Sequence, residues 1–77
     1  MAKLKEHRTV SRFIFRLDDN NCYECRGATY YDEDHDQVPE PALQNAARVL
    51  QKQLKEEGYE FEIEFGEKGW IELYLQE

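Results

Sequence analysis

The stretch Pro41–Gly58, PALQNAARVLQKQLKEEG, decides how the rest of the chain is read. Leu43, Ala46, Ala47, Leu50 and Leu54 recur at spacings of three and four, which places them on one stripe of an α-helix. Gln44, Arg48, Gln51, Lys52 and Lys55 fall on the other side. Pro41 suits a first helical turn, where a missing N–H costs nothing. Gly58 suits the left-handed position just past the end, and Tyr59 then packs back against Leu54 in a Schellman motif.

Strands flank this helix on both sides. From Thr9 to Leu17 the chain alternates, with Ser11, Phe13, Phe15 and Leu17 on one face and Val10, Arg12, Ile14 and Arg16 on the other. Asp18-Asp19-Asn20-Asn21 is a turn cluster, and a second strand is expected from Cys22 to Tyr31. A three-residue loop of Asp19, Asn20 and Asn21 sets Leu17 opposite Tyr23, Phe15 opposite Cys25 and Arg16 opposite Glu24. A slip of one residue would set Phe15 against Glu24, so the first register is preferred. The acidic segment Asp32–Glu40 (DEDHDQVPE) reads as a connection into the helix.

After Gly58, Tyr59, Phe61, Ile63 and Phe65 alternate with Glu60, Glu62 and Glu64. A turn at Glu67-Lys68-Gly69 follows, with Gly69 at its left-handed position. The last strand presents Ile71, Leu73 and Leu75 on one face and Glu72, Tyr74 and Gln76 on the other. That turn pairs Phe65 with Ile71, Ile63 with Leu73 and Phe61 with Leu75. The expected fold is α+β, in the order ββαββ: a four-stranded antiparallel sheet with one helix packed on one face. Residues 1–8 are expected to form a flexible N-terminal arm and residues 9–77 a single domain.

At 77 residues there is room for one core only, and such a domain buries roughly 60% of the surface its unfolded chain exposes. The net charge is −7 and is unevenly spread. Residues 1–17 carry Lys3, Lys5, Arg8, Arg12 and Arg16 against Glu6 alone, a net of +4, while the remainder is −11. No apolar run reaches the roughly 20 residues that span a bilayer, and the first residues lack the apolar segment of a secretory signal. Two cysteines are too few for a disulfide-built secreted domain. The cytoplasm is therefore the expected compartment, with no membrane contact.

One helix leaves one sheet face bare. The first hairpin is expected to contribute Val10, Arg12, Ile14, Arg16, Glu24, Arg26, Ala28 and Tyr30 to it. The second contributes Glu60, Glu62, Glu64, Glu72, Tyr74 and Gln76, with Trp70 at the bulge. Glu64 and Glu72 stand directly opposite, a like-charge pair. If Arg12, Arg16 and Arg26 neutralise these carboxylates, the face is merely solvated. Otherwise it is a recognition surface for a basic protein partner, or a self-association face, made by Glu60, Glu62, Glu64, Trp70, Glu72, Tyr74, Ile14 and Tyr30. Aromatic side chains among carboxylates repel phosphate, so no direct nucleic-acid ligand is expected.

Other motifs carry less. Cys22 and Cys25 form a Cys-x-x-Cys pair, and a zinc module with Cys22, Cys25 and His35 as ligands is the rival reading. In a strand, however, two thiols three residues apart point to opposite faces, so no metal or other cofactor is expected. Asp32, Asp34 and Asp36 alternate as in a calcium loop, yet Gln37 stands where glycine is needed and Leu43 where a bidentate glutamate is needed. Ser11 is the sole serine and there is no phosphate-binding glycine loop or nucleophile elbow, so no catalysis is expected.

The expected function is thus a small acidic, non-enzymatic interaction module that modulates a larger protein, with homodimerisation open to it. In size and charge the chain resembles small phage-encoded inhibitors, including some anti-CRISPR proteins. The resemblance implies carboxylates that imitate phosphates and block a basic groove of a host enzyme. It is one of class, and no motif carries it.

Overall fold

A computed structural model describes residues 4–27, 29–31, 33–35, 37–65 and 69–76, except for the side chains of Tyr30 and Gln37. The strands are β1 (His7–Val10), β2 (Phe13–Leu17), β3 (Cys22–Arg26), β4 (Thr29–Tyr31) and β5 (Gln37–Pro39). Helix α1 (Pro41–Glu56) follows, and then β6 (Phe61–Phe65) and β7 (Trp70–Leu75). The main sheet is antiparallel and has five strands, in the order β1-β2-β3-β7-β6, while β4 and β5 form a separate two-stranded ribbon. The fold is α+β with one helix on the sheet, but the expected four strands are five and the ββαββ order does not hold.

The helix ends as its sequence dictates. Pro41 occupies the first turn, and Glu40 precedes it with extended backbone, its carbonyl accepting from the Leu43 and Gln44 N–H groups. At the other end Gly58 has φ 98°, the Tyr59 N–H donates to Leu54 O at 2.8 Å, and the Gly58 N–H donates to Lys55 O at 3.0 Å. These two bonds make a Schellman motif and satisfy carbonyls the helix leaves over. Leu43, Ala46, Ala47, Leu50 and Leu54 are the buried residues of α1. They share one core with Val10, Phe13, Phe15, Tyr23, Cys25, Phe61, Ile71 and Leu73.

The extra strand arises where a single one was expected. Ser11 has φ 57°, and the chain turns back on itself through Ser11-Arg12, pairing Val10 with Phe13 and Arg8 with Phe15. Positive φ at the first central residue alone is the pattern of a type II′ hairpin turn. A two-residue turn leaves residues three apart on the same face, so Val10 joins Phe13 in the core and not the bare face. His7 and Arg8, assigned to the arm by sequence, are strand residues.

Both remaining registers match the sequence reading. β2 and β3 pair Arg16 with Glu24 and Leu17 with Tyr23 across a loop in which Asn21 has φ 59°. Asp18 Oδ1 accepts from the N–H groups of Asn20 and Cys22 at 2.8 and 2.9 Å, fixing that loop. β6 and β7 pair Phe61 with Leu75, Ile63 with Leu73 and Phe65 with Ile71. Of their turn, residues 66–68 lie outside the described residues, but Gly69 has the expected positive φ, 85°. The strand expected from Cys22 to Tyr31 stops at Arg26, and Thr29–Tyr31 pairs with Gln37–Pro39 from the acidic connection.

A clamp ties β1 to the end of the helix. Arg8 Nη1 and Nη2 donate to the two carboxylate oxygens of Glu57 at 2.7 and 2.6 Å. The Tyr23 hydroxyl beneath donates to Lys5 O at 2.6 Å. Arg8 holds the Glu57 carboxyl below its ordinary value of 4.5. Proton uptake therefore favours the unfolded chain: the clamp stabilises fully above the ordinary value and loses its effect as pH falls through the depressed folded one. Because the Glu57 side chain is 41% exposed, solvent screens most of the pair. Glu57→Gln is expected to cost about 0.5–1 kcal/mol at neutral pH, with the difference from wild type vanishing in acid, as read by urea unfolding across pH.

The two positive-φ glycines separate backbone preference from space. Among the described residues, a Cβ on Gly58 would meet nothing within 4 Å, whereas one on Gly69 would overlap the Gly27 carbonyl oxygen. Gly58→Ala should cost about 1 kcal/mol in the same assay, and Gly69→Ala at least about 2 kcal/mol more. Equal costs would mean that the Gly27–Gly69 approach relaxes freely.

Candidate functional site

Register alone builds a line of side chains across the bare face. His7 pairs with Arg16, Arg16 with Glu24, Glu24 with Glu72, and Glu72 with Glu64. Adjacent strands lie about 4.8 Å apart, so basic groups at the β1–β2 side give way to three consecutive carboxylates at the β6 side. The alternation in the sequence places Glu64 opposite Glu72 but carries no strand order between the two hairpins. The β3–β7 joint adds Glu24 to the same line.

The arginines expected to neutralise this line are largely engaged elsewhere. Arg12 sits in the β1–β2 turn, and its Nη2 bonds Glu40 Oε1 at 2.9 Å, at the start of α1. The Arg26 guanidinium lies 5.5 Å from the ring centre of Trp70, the residue it faces in register. Only Arg16 stands beside the line, opposite Glu24. Among the described residues, the ion pairs within 4 Å are Arg8–Glu57 and Arg12–Glu40. Glu72 and Glu64 are in neither.

Tyr74 extends the acidic region. It pairs with Glu62 on one side and Cys22 on the other. Its hydroxyl donates to Glu72 Oε2, and that carboxylate drives the phenol well above the ordinary tyrosine range. Tyr74 is 38% exposed and Ile14, on β2, 54% exposed. Glu60, Glu62 and Glu64 are exposed, while Glu72 and Trp70 are half-buried. Of the expected residues, Glu60 lies just before β6, and Tyr30 leaves the main sheet: it lies on β4, pairing with Val38, and its side chain is outside the described residues.

Cys22 and Cys25 point to opposite faces of β3. Cys25 belongs to the core beneath the helix, whereas Cys22 is 2% exposed on the far side and is not part of that core. Burial, with added repulsion from Asp18, Glu72 and Glu24, pushes the Cys22 thiol up to about 11. Burial also raises the Cys25 thiol. Both are thiols at neutral pH, the form that binds zinc poorly. His35 is exposed in the loop between β4 and β5, with φ 63°. Among the described residues, no group of three or more His, Cys, Asp or Glu side chains is placed to hold a metal ion. Asp32 and Asp36 of the calcium-like pattern lie outside the described residues.

Phe65 was missed. Strict alternation puts it in the core with Phe61 and Ile63, yet it is 49% exposed at the end of β6. The cause lies in the sheet order, which the spacing does not carry: β6 is the last strand of the sheet and Phe65 its last residue, the position with fewest neighbours to cover it.

No helix among the described residues is long and apolar enough to cross a membrane. No protein-family model matches the chain, and neither a curated protein nor a solved structure matches it.

The carboxylate line has a measurable cost. Like charges directly opposite on neighbouring strands destabilise by roughly 0.2–1 kcal/mol, and Glu72 has such a neighbour on each side. Glu72→Gln keeps an acceptor for Tyr74 and removes the central charge. It is expected to stabilise the protein by about 0.5 kcal/mol at low salt, and by less at high salt, in urea titrations.

Proposed function

We propose that this protein is a small, non-enzymatic interaction module that binds and modulates a larger protein by applying its bare sheet face to a basic surface. The observation that carries this reading is the line Glu24–Glu72–Glu64, whose two outer-side carboxylates lack an ion-pair partner among the described residues. Placing three carboxylates side by side costs stability, and a partner's cations would turn that cost into attraction. Ile14 and Tyr74, exposed beside the line, supply the apolar and aromatic contact area that interface centres use. A basic groove of the kind that holds nucleic acid is one surface of matching sign.

The test is affinity capture with the wild-type chain and with a Glu64→Lys/Glu72→Lys variant, followed by binding measurements on the purified pair. A common partner should be retained by wild type, weakened by added salt, and lost by at least about tenfold in the variant. Equal capture by both proteins, or affinity indifferent to salt, would rule the reading out.

A further inference from the structure

β6 is the terminal strand of the sheet, and among the described residues no strand pairs with its outer edge. The Gln76 N–H donates to Glu60 O at 2.7 Å, which fixes the phase of the β6–β7 ladder. Backbone groups alternate in direction along an antiparallel strand. Those of Glu60, Glu62 and Glu64 therefore face β7, and those of Phe61, Ile63 and Phe65 face outward. Gln51 Nε2 donates to Phe61 O at 2.8 Å and occupies that end. Among the described residues, the N–H and C=O groups of Ile63 and Phe65 have no partner on that edge and form a short open ladder. A groove of about 510 Å³ runs along the same side, between Gln51, Lys52 and Lys55 of α1 and Glu60, Phe61 and Glu62.

We propose that β6 accepts one further strand from a partner protein, an extended segment in which Lys or Arg alternates with apolar residues. This rests on the acidic-face reading above and specifies how the partner is held. Main-chain bonds to Ile63 and Phe65 supply the attachment. The strand's period of two then sets its character. On the bare face its side chains lie beside Glu62 and Glu64, where cations continue the line that Glu24, Glu72 and Glu64 begin. On the helix side its side chains lie beside Ile63 and the half-exposed Phe65, where apolar groups complete the cover. A second copy is the poorer occupant: two-fold pairing of β6 about Ile63 sets glutamate against glutamate. The same charges that deter self-pairing select a basic strand.

The test uses the full chain and a capped peptide of alternating lysine and valine, about eight residues long. Its control has the same composition with the lysines grouped at one end. Amide-resolved NMR titration and hydrogen exchange should show the alternating peptide binding at least tenfold more tightly than the control. Exchange at Ile63 and Phe65 should slow, with little change at Glu62 and Glu64, already bonded to β7. Phe65→Pro removes one outward N–H and leaves the β7 ladder whole, so it should keep the wild-type circular dichroism and lose binding by about tenfold. Should that variant unfold, the exchange data on the wild-type chain decide alone. Equal binding of both peptides without slowed exchange at Ile63 and Phe65 overturns the strand mode while leaving the acidic-face reading intact. Binding of neither peptide also overturns it, and capture by the Glu64→Lys/Glu72→Lys variant then judges the broader reading separately. Slowed exchange that grows with protein concentration alone would identify the occupant as a second copy and overturn the proposal.

Discussion

Leu43, Leu50 and Leu54 of α1 are fully buried, in one core with Phe15, Tyr23, Ile71 and Leu73 from the middle of the sheet. Burying a leucine contributes roughly 1.5–3 kcal/mol, so these three side chains are a large share of the about 5–15 kcal/mol that holds a small domain folded. The contact also decides which face of every strand is apolar. Tyr23, Ile71 and Leu73 turn toward the helix, so Glu24, Glu72 and Glu64 must turn away. The acidic line is the geometric complement of the core, not an independent device.

What does not follow from the core is that the bare face should be acidic at one side. Any soluble side chains would serve there, and alternating charges would serve better. The β1–β2 side has Arg16 and the β6 side has glutamates, with Arg26 laid over Trp70 and Arg12 drawn off to Glu40. Carboxylates side by side on neighbouring strands lower stability, and nothing in the packing of the core requires them there.

The parts legible in the sequence are those set by local chemistry. The helix, its Schellman end, the Asp18–Asn21 loop and both hairpin registers follow from spacing, Gly58, Gly69 and Asn21. The Ser11-Arg12 turn left no such mark, because Ser11 takes a positive φ usually left to glycine. Reading one strand through it put Val10 on the wrong face. The β4–β5 ribbon was hidden for a different reason: DEDHDQVPE has the composition of a solvated connection, and only Val38 and Pro39 betray a pairing segment. At the site, Glu62, Glu64, Glu72 and Tyr74 were found from the period of two. Glu24 joined them only once β3 and β7 were neighbours, and Phe65 emerged only once β6 was known to be the edge. Strand order is a tertiary fact that periodicity does not encode.

The joint between β3 and β7 has one more consequence. It pairs Cys22 with Tyr74 and Arg26 with Trp70, drawing together the two hairpins across the whole helix and its flanking connections. Each hairpin and the helix involve near neighbours along the chain, whereas this seam closes a long loop before any of its contacts is made. The entropy of that closure falls on the route to the native state more than on its final free energy. The centre of the sheet thus holds the strand pairing of greatest sequence separation, the kind of contact that accompanies slower folding.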